Sequence, residues 1–165
     1  MQRITELFRN RLEVAFAKLD LKASDHIVML NTLNPSQFVA AINQCDIFLD
    51  SIGWSGCNST MESLACNLPI VTTPGPLMRG CHSSAILQMM GVTETIAGSA
   101  EDYISIAERL ANNPDERRML SCNMAEREST AFIAIMNVFP RSKIFWITRL
   151  GSQQPRPKST HVDEI

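Results

Sequence analysis

The residues of this chain best suited to chemistry are small and polar, gathered where a loop gives way to a helix. Ser51 to Asn58 carries Gly53 and Gly56, and Asn58-Ser59-Thr60 follows directly. Small hydrogen-bonding side chains at a helix N-terminus, with its unpaired backbone N–H groups and the positive end of its dipole, make a ready phosphate site. The same residues admit an explanation without a ligand. Ser59 with Glu62 fits the S/T-x-x-E capping box, and Gly, Asn and Ser are ordinary turn residues. The loop has neither the GxGxxG nor the GxxxxGK(S/T) form, which argues against a dinucleotide fingerprint or a P-loop. A second loop, Thr72 to His82, carries Arg79, able to meet a phosphate bidentately, and His82, able to donate a hydrogen bond. A solvated arginine and a capping or packing histidine are the alternative there.

Other chemistries find less support. Asp46 and Asp50 bracket an apolar run in a spacing that is no catalytic signature, and no Ser/His/Asp or Cys/His arrangement can be argued. His26 reads as structural. The five cysteines, Cys45, Cys57, Cys66, Cys81 and Cys122, contain no tight CxxC pair. Cys57, Cys66, Cys81 and His82 match no ligand rhythm, so no metal is expected.

Both loops must be positioned by the elements around them. Ile4 to Leu19 keeps a helical period. His26 to Leu30 (HIVML) reads as a buried strand, and Asn34-Pro35-Ser36-Gln37 opens a helix to about Gln44. Asp46 to Asp50 and Pro69 to Thr72 are further strands, with a helix from Ser59 to near Asn67 between them and a weaker strand at Glu94 to Ala97. Helices follow from about Ser83 to Met90, stopped by Gly91. Another opens at Ser99 by the capping-box pattern, with Tyr103, Ile104, Ala107 and Leu110 on one face. The last is capped by Asn113-Pro114-Asp115-Glu116 and runs to about Glu128. Alternating strands and helices imply an α/β fold, a doubly wound parallel sheet. Three or four strands fall short of a complete Rossmann-type domain, so the reading is a partial Rossmann-like unit of something larger. In such sheets ligands bind beyond the carboxyl ends of the strands, where both loops lie.

At 165 residues the chain predicts one domain, with 45% hydrophobic and 19% charged residues in an ordinary globular balance. A net charge of −2 gives no bulk attraction to nucleic acid or anionic lipid. The charged N-terminus has no apolar signal core, and no apolar run approaches the ~20 residues of a membrane span. Free thiols then point to a cytoplasmic setting.

The stretch Asp46 to Gly75, DIFLDSIGWSGCNSTMESLACNLPIVTTPG, resembles the catalytic region of the O-linked N-acetylglucosamine transferase and SPINDLY-type glycosyltransferases, in a bacterial-like form. The likeness continues through LMRGCHSSAILQMMGVTETIAGSAEDYISIAERLANNPDERR to about Glu128. It implies a GT-B architecture, two Rossmann-like domains facing a cleft, of which this chain carries the C-terminal, donor-binding half. In relatives a Gly-His-Thr-Thr segment at a helix start holds the donor diphosphate, and an acid three residues on holds the ribose. Here the segment falls on Gly56, Cys57, Asn58 and Ser59, and the acid on Glu62. The backbone at Thr32 and Leu33 matches where relatives accept the base. Cys57 replaces a histidine and Asn58 a threonine. Cys81 stands where an arginine is expected, and Phe38 near where a histidine faces the base, with stacking and core packing both open.

The resemblance implies transfer of a sugar of the N-acetylglucosamine kind from a UDP-sugar to a protein acceptor, with the nucleotide-sugar as substrate and no further cofactor. It assigns no catalytic residue. The family's N-terminal catalytic domain, its general base, the strand with a phosphate-contacting lysine and the tetratricopeptide repeats have no counterpart here, so little activity is expected of the chain alone. Residues 1–129 read as the partial GT-B domain and 130–165 as an atypical tail, apolar over Thr130 to Leu150 and then polar and disordered over Gly151 to Ile165. The break fits a truncated or frame-shifted reading frame. Two alternatives stay open. One is a GT-B nucleotide-sugar epimerase relative. The other is a non-catalytic module, forming a homo-oligomer through the apolar Phe132 to Trp146.

Overall fold

The computed structural model describes residues 2–138, with side chains over 4–127. The chain divides into two compact units, Met1–Asn34 and the part from Pro35 onward. The tail residues 139–165, including the stretch expected to be disordered and most of the apolar run ending at Trp146, lie outside the described residues.

In the first unit α1 (Gln2–Ala17) follows the expected helical period. It closes through Asp20 in the left-handed region (φ 56°), with the Leu21 N–H donating to the Phe16 carbonyl at 3.1 Å. Ile4, Leu7, Phe8 and Leu19 remain exposed. His26 is structural, as expected: its ring stacks on Phe16 with centroids 5.6 Å apart. The expected strand at His26 to Leu30 does not form. Residues 27–34 carry no ladder, although half-buried Ile27 and Met29 still alternate with exposed Val28 and Leu30. A two-residue period makes a segment ready for a sheet, but a strand exists only with a hydrogen-bonded neighbour, and none of the described residues supplies one. Thr32 and Leu33, the expected base contacts, lie in this unpaired segment.

The second unit begins with α2 (Pro35–Ile42), its proline at the first helical position, where no N–H is needed. Ile42 packs with Cys66 and Leu68, and Phe38 joins that cluster, so its packing role is the one realised. Strands β1 (Phe48–Leu49) and β2 (Ile70–Val71) pair in parallel, Phe48 with Ile70 and Leu49 with Val71. The weaker strand survives as one parallel bridge between Thr72 and Ile96. Between the strands runs α3 (Asn58–Ala65), followed after β2 by α4 (His82–Met89), α5 (Ala100–Asn112) and α6 (Pro114–Val138).

Neighbouring strand residues point to opposite faces, and β2 shows that both faces are covered. Ile70 packs with Met61 and Leu64 of α3 and with Ile86 and Leu87 of α4. Val71 packs with Ile106 and Leu110 of α5 and Leu120 of α6. Both are fully buried. This is the doubly wound arrangement, in partial form. On α5 the buried face includes Ile106 rather than Ile104, which is 63% exposed. Both positions lie near the edge of the stripe set by Tyr103, Ala107 and Leu110, and packing against β2 and α6 selects the former.

Local signals at helix ends mostly hold. The Ser99 side chain accepts from the Asp102 N–H at 3.1 Å, and Asp102 in turn accepts from the Gly98 N–H at 2.8 Å. Asn113 accepts from the Glu116 N–H at 3.2 Å. Both α3 and α4 end with paired reverse bonds, Leu68 to Ser63 and Val92 to Leu87, around Asn67 (φ 53°) and Gly91 (φ 69°). Helix α6 continues to Val138, ten residues beyond its expected end at Glu128. No helix among the described residues is long and apolar enough to cross a membrane.

Candidate functional site

Two loops meet beyond the carboxyl ends of β1 and β2, and a single buried carboxylate gathers them. Asp50, 3% exposed, follows β1 directly. Its Oδ1 accepts the Gly56 N–H at 2.7 Å, and its Oδ2 accepts the Ser55 hydroxyl at 2.7 Å and the Thr72 hydroxyl at 2.8 Å. Loop 51–57 is thereby folded back on its own strand and tied to the end of β2. An ionised carboxylate only accepts, so each of these donors must spend its proton on Asp50.

A chain of buried hydroxyls extends from this point. Ser55 Oγ accepts the Ser83 N–H at 2.8 Å, and Ser83 Oγ lies 2.8 Å from Ser55 Oγ and 2.7 Å from Thr60 Oγ1. Ser55 stands in the first loop, Thr60 in the first turn of α3, and Ser83 in the first turn of α4. The network therefore brings two helix N-termini to one place, each contributing partial positive charge.

The start of α3 differs from the expected capping box. Cys57 is the N-cap and makes no side-chain cap bond, and Ser59 falls inside the first turn. The first intrahelical bond is that of the Met61 N–H to the Cys57 carbonyl at 3.1 Å, so the N–H groups of Asn58, Ser59 and Thr60 form the open first turn. The physical reason is tertiary. With the Gly56 N–H anchored on Asp50, the helix starts two residues earlier than a Ser59 cap requires. Asn58 is exposed, Ser59 and Glu62 are half-buried, and Cys57 is exposed at the lip. The structure thus brings Gly56, Cys57, Asn58, Ser59 and Glu62 to one helix start. Thr32 and Leu33 belong to the other unit.

Gly56 is required by close approach. A β-carbon there would fall 2.5 Å from Ser59 Oγ and 2.8 Å from Thr60 Oγ1. In the second loop, Arg79 turns to the ring of Trp54. Its guanidinium lies 5.5 Å from the centroid of the Trp54 ring. Cys81 donates its thiol to the Gly75 carbonyl at 2.9 Å, closing the turn. Nδ1 of His82 is buried and finds no partner among the described residues. All five cysteines are free, and among the described residues no group of three or more His, Cys, Asp or Glu could hold a metal ion.

Tyr103 of α5 fastens the site from the opposite face of the sheet, donating its hydroxyl to the Asp50 carbonyl at 2.9 Å. Burial, reinforced by the Asp50 charge, pushes this phenol up to about 12. A folded pKa above the unfolded value of about 10 means stability is intact below pH 10 and is lost as pH rises toward 12. Tyr103→Phe is expected to lower stability by about 1 kcal/mol at pH 7 and to flatten that alkaline loss. Denaturant titrations of both proteins across pH 8–12 check it.

The sequence of glycosyl transferase family 41 matches residues 7–139 of this chain. The chain belongs to that family. The match runs past Ser129, where the resemblance read from the sequence stops. The UDP-N-acetylglucosamine–peptide N-acetylglucosaminyltransferase of Caenorhabditis elegans is 29% identical over 108 residues, 64% of this chain and 9% of that protein. The probable SPINDLY enzyme of Petunia hybrida is 29% identical over 91 residues, 55% of this chain and 10% of that protein. The chain thus spans about a tenth of the length of these relatives. An O-GlcNAc transferase variant of Thermobaculum terrenum superimposes with a TM-score of 0.70 at 23% identity, over 87% of this chain and 28% of that one. That likeness establishes the fold, a partial Rossmann-like α/β unit of the GT-B type. The Asp50–Ser55–Ser83–Thr60 network escaped sequence reasoning, because its contacts join residues as far apart as Ser55 and Ser83. The available signal was positional: Asp50 ends a strand at the edge where such sheets bind ligands.

Proposed function

We propose that this chain is the donor-binding part of a glycosyltransferase that moves a sugar, of the N-acetylglucosamine kind, from a UDP-linked donor to a protein side chain. The observation that carries this reading is the first turn of α3, whose N-cap Cys57 makes no side-chain cap bond and which is held beside the α4 terminus by the Asp50 and Ser83 bonds. An anion placed there meets preorganised N–H groups at a helix N-terminus, with a second helix N-terminus joined to it. In the reaction, the N–H groups with Asn58 and Ser59 stabilise the β-phosphate as charge develops on the departing UDP. Glu62 orients the ribose. Gly56 and Cys57 let the chain pass close beneath the diphosphate. The relatives' names, which specify a UDP-N-acetylglucosamine donor and a peptide acceptor, agree with this assignment.

Positioning the leaving group accelerates transfer only when acceptor and general base are held beside it. We assign neither to this chain, and expect turnover by the chain alone to be undetectable. Calorimetric titration with UDP, with ADP as control, tests the donor site. Selective UDP binding is expected, weakened about three- to tenfold by Ser59→Ala and by Glu62→Ala, as befits loss of one hydrogen bond each. A folded chain that binds neither nucleotide overturns the proposal, and leaves a non-catalytic module as the reading.

A further inference from the structure

Ser83 directs its side chain to neighbours rather than to its own helix. It stands second in α4, past the Cys81 N-cap, and is fully buried. A serine in a first turn usually bonds local backbone. The next residue does so, Ser84 Oγ donating to the Cys81 carbonyl at 3.0 Å. The Ser83 hydroxyl instead donates to the Gly56 carbonyl at 3.2 Å and lies 2.7 Å from Thr60 Oγ1. Its own N–H donates to Ser55 Oγ at 2.8 Å, and Ile86 and Leu87 seat α4 in the core. The serine is a fixed point against which the start of α3 is set.

What it sets is the peptide plane from which α3 begins. The Gly56–Cys57 bond is trans, so its carbonyl and its N–H point in opposite directions. With the carbonyl held on buried Ser83, the Cys57 N–H points away from it. The preceding peptide plane is held separately, through the Gly56 N–H on Asp50. Two consecutive planes are therefore fixed from two different elements, at the residue type that is otherwise freest to turn. We infer that Ser83 is a positioning residue for the diphosphate of the site proposed above, on which this inference rests. It touches no ligand. It acts through the Gly56 carbonyl and Thr60, holding the first turn of α3 in the orientation that receives the β-phosphate. A donor array fixed in advance needs no reorganisation when the anion arrives. Without Ser83, the ordering of that turn falls on phosphate binding and on no other part of the nucleotide.

The test compares UDP with UMP on the full chain by calorimetry, beside a thermal melt of each variant. UDP is expected to bind the native chain at least about tenfold more tightly than UMP, as hydrogen bonds to a charged group predict. Ser83→Ala is expected to shrink that ratio about three- to tenfold, with UMP affinity within about twofold of native. A merely structural role would weaken UDP and UMP by the same factor. Thr60→Val keeps the shape without the hydroxyl and is expected to shrink the ratio about threefold, whereas Thr60→Ser keeps the hydroxyl and recovers most of it. A ratio unchanged in folded Ser83→Ala, an equal loss for both nucleotides, or a native ratio near one overturns the positioning role. Where Ser83→Ala fails to fold, equal ratios in Thr60→Val and Thr60→Ser overturn it instead. A folded native chain that binds no UDP overturns the donor site itself.

Discussion

Asp50→Ala is expected to destabilise the second unit by about 2–5 kcal/mol, measured as a fall in the denaturation midpoint at unchanged m-value. The carboxylate satisfies the Ser55 hydroxyl, the Gly56 N–H and the Thr72 hydroxyl at once, at 3% exposure. The two hydroxyls can rotate toward other acceptors, but the Gly56 N–H is fixed by its backbone and is left unpaired. Each buried donor without a partner costs about 1–3 kcal/mol. Asp50→Asn discriminates charge from shape. Its amide oxygen can still accept from Gly56 if its NH2 faces Ser55 and Thr72, which then must accept. Ser55 Oγ already accepts the Ser83 N–H, so this rearrangement disturbs the link to α4. A loss of about 1–2 kcal/mol is expected, since charge-assisted bonds become ordinary ones. An Asp50→Ala protein as stable as the native chain would show that the two loops are held by something other than this carboxylate.

The second large effect concerns binding. Gly56→Ala is expected to weaken UDP by more than tenfold while lowering stability by about 1–3 kcal/mol, the usual penalty of overpacking. The added methyl group meets Ser59 Oγ at 2.5 Å and Thr60 Oγ1 at 2.8 Å. Ser59 can swing away, at the expense of its proposed phosphate contact. Thr60 is fully buried and held on Ser83 at 2.7 Å, so it yields only if the contact between the α3 and α4 termini opens. Either response damages the anion site before it damages the fold. Calorimetry with UDP beside a thermal melt separates the two. Unchanged affinity in a folded Gly56→Ala protein would refute phosphate binding at this turn.

The two variants probe different links of one structure. Asp50 lies beneath the loop and acts on stability first, whereas Gly56 lies at the proposed ligand and acts on affinity first. Ser59→Ala should leave stability nearly untouched, because that side chain is not a member of the buried hydroxyl network.

Where the governing interaction is local, the sequence by itself determined the structure. Ser99 and Asn113 cap their helices through bonds three residues away, and Pro35 starts α2 because its fixed φ and missing N–H suit that position. The parallel order of Asp46–Asp50 and Pro69–Thr72 around a helix, and the position of Gly56 to Glu62 at the start of that helix, were likewise legible, because alternation of strand and helix leaves few topologies open. Tertiary structure decided the rest. HIVML has the pattern of a strand but no ladder, since pairing is a property of two segments and not of one. Ser59 and Glu62 spell a capping box, yet the helix begins at Asn58, because an anchor on Asp50 competes with the local cap. Asp50 itself looked like an uninformative acid on a strand. Its role depends on Thr72, and through Ser55 on Ser83, which are distant along the chain and adjacent only once the strands lie parallel. Hydrogen bonds of that kind have no periodicity to betray them; they follow from which loops the sheet brings to the same edge.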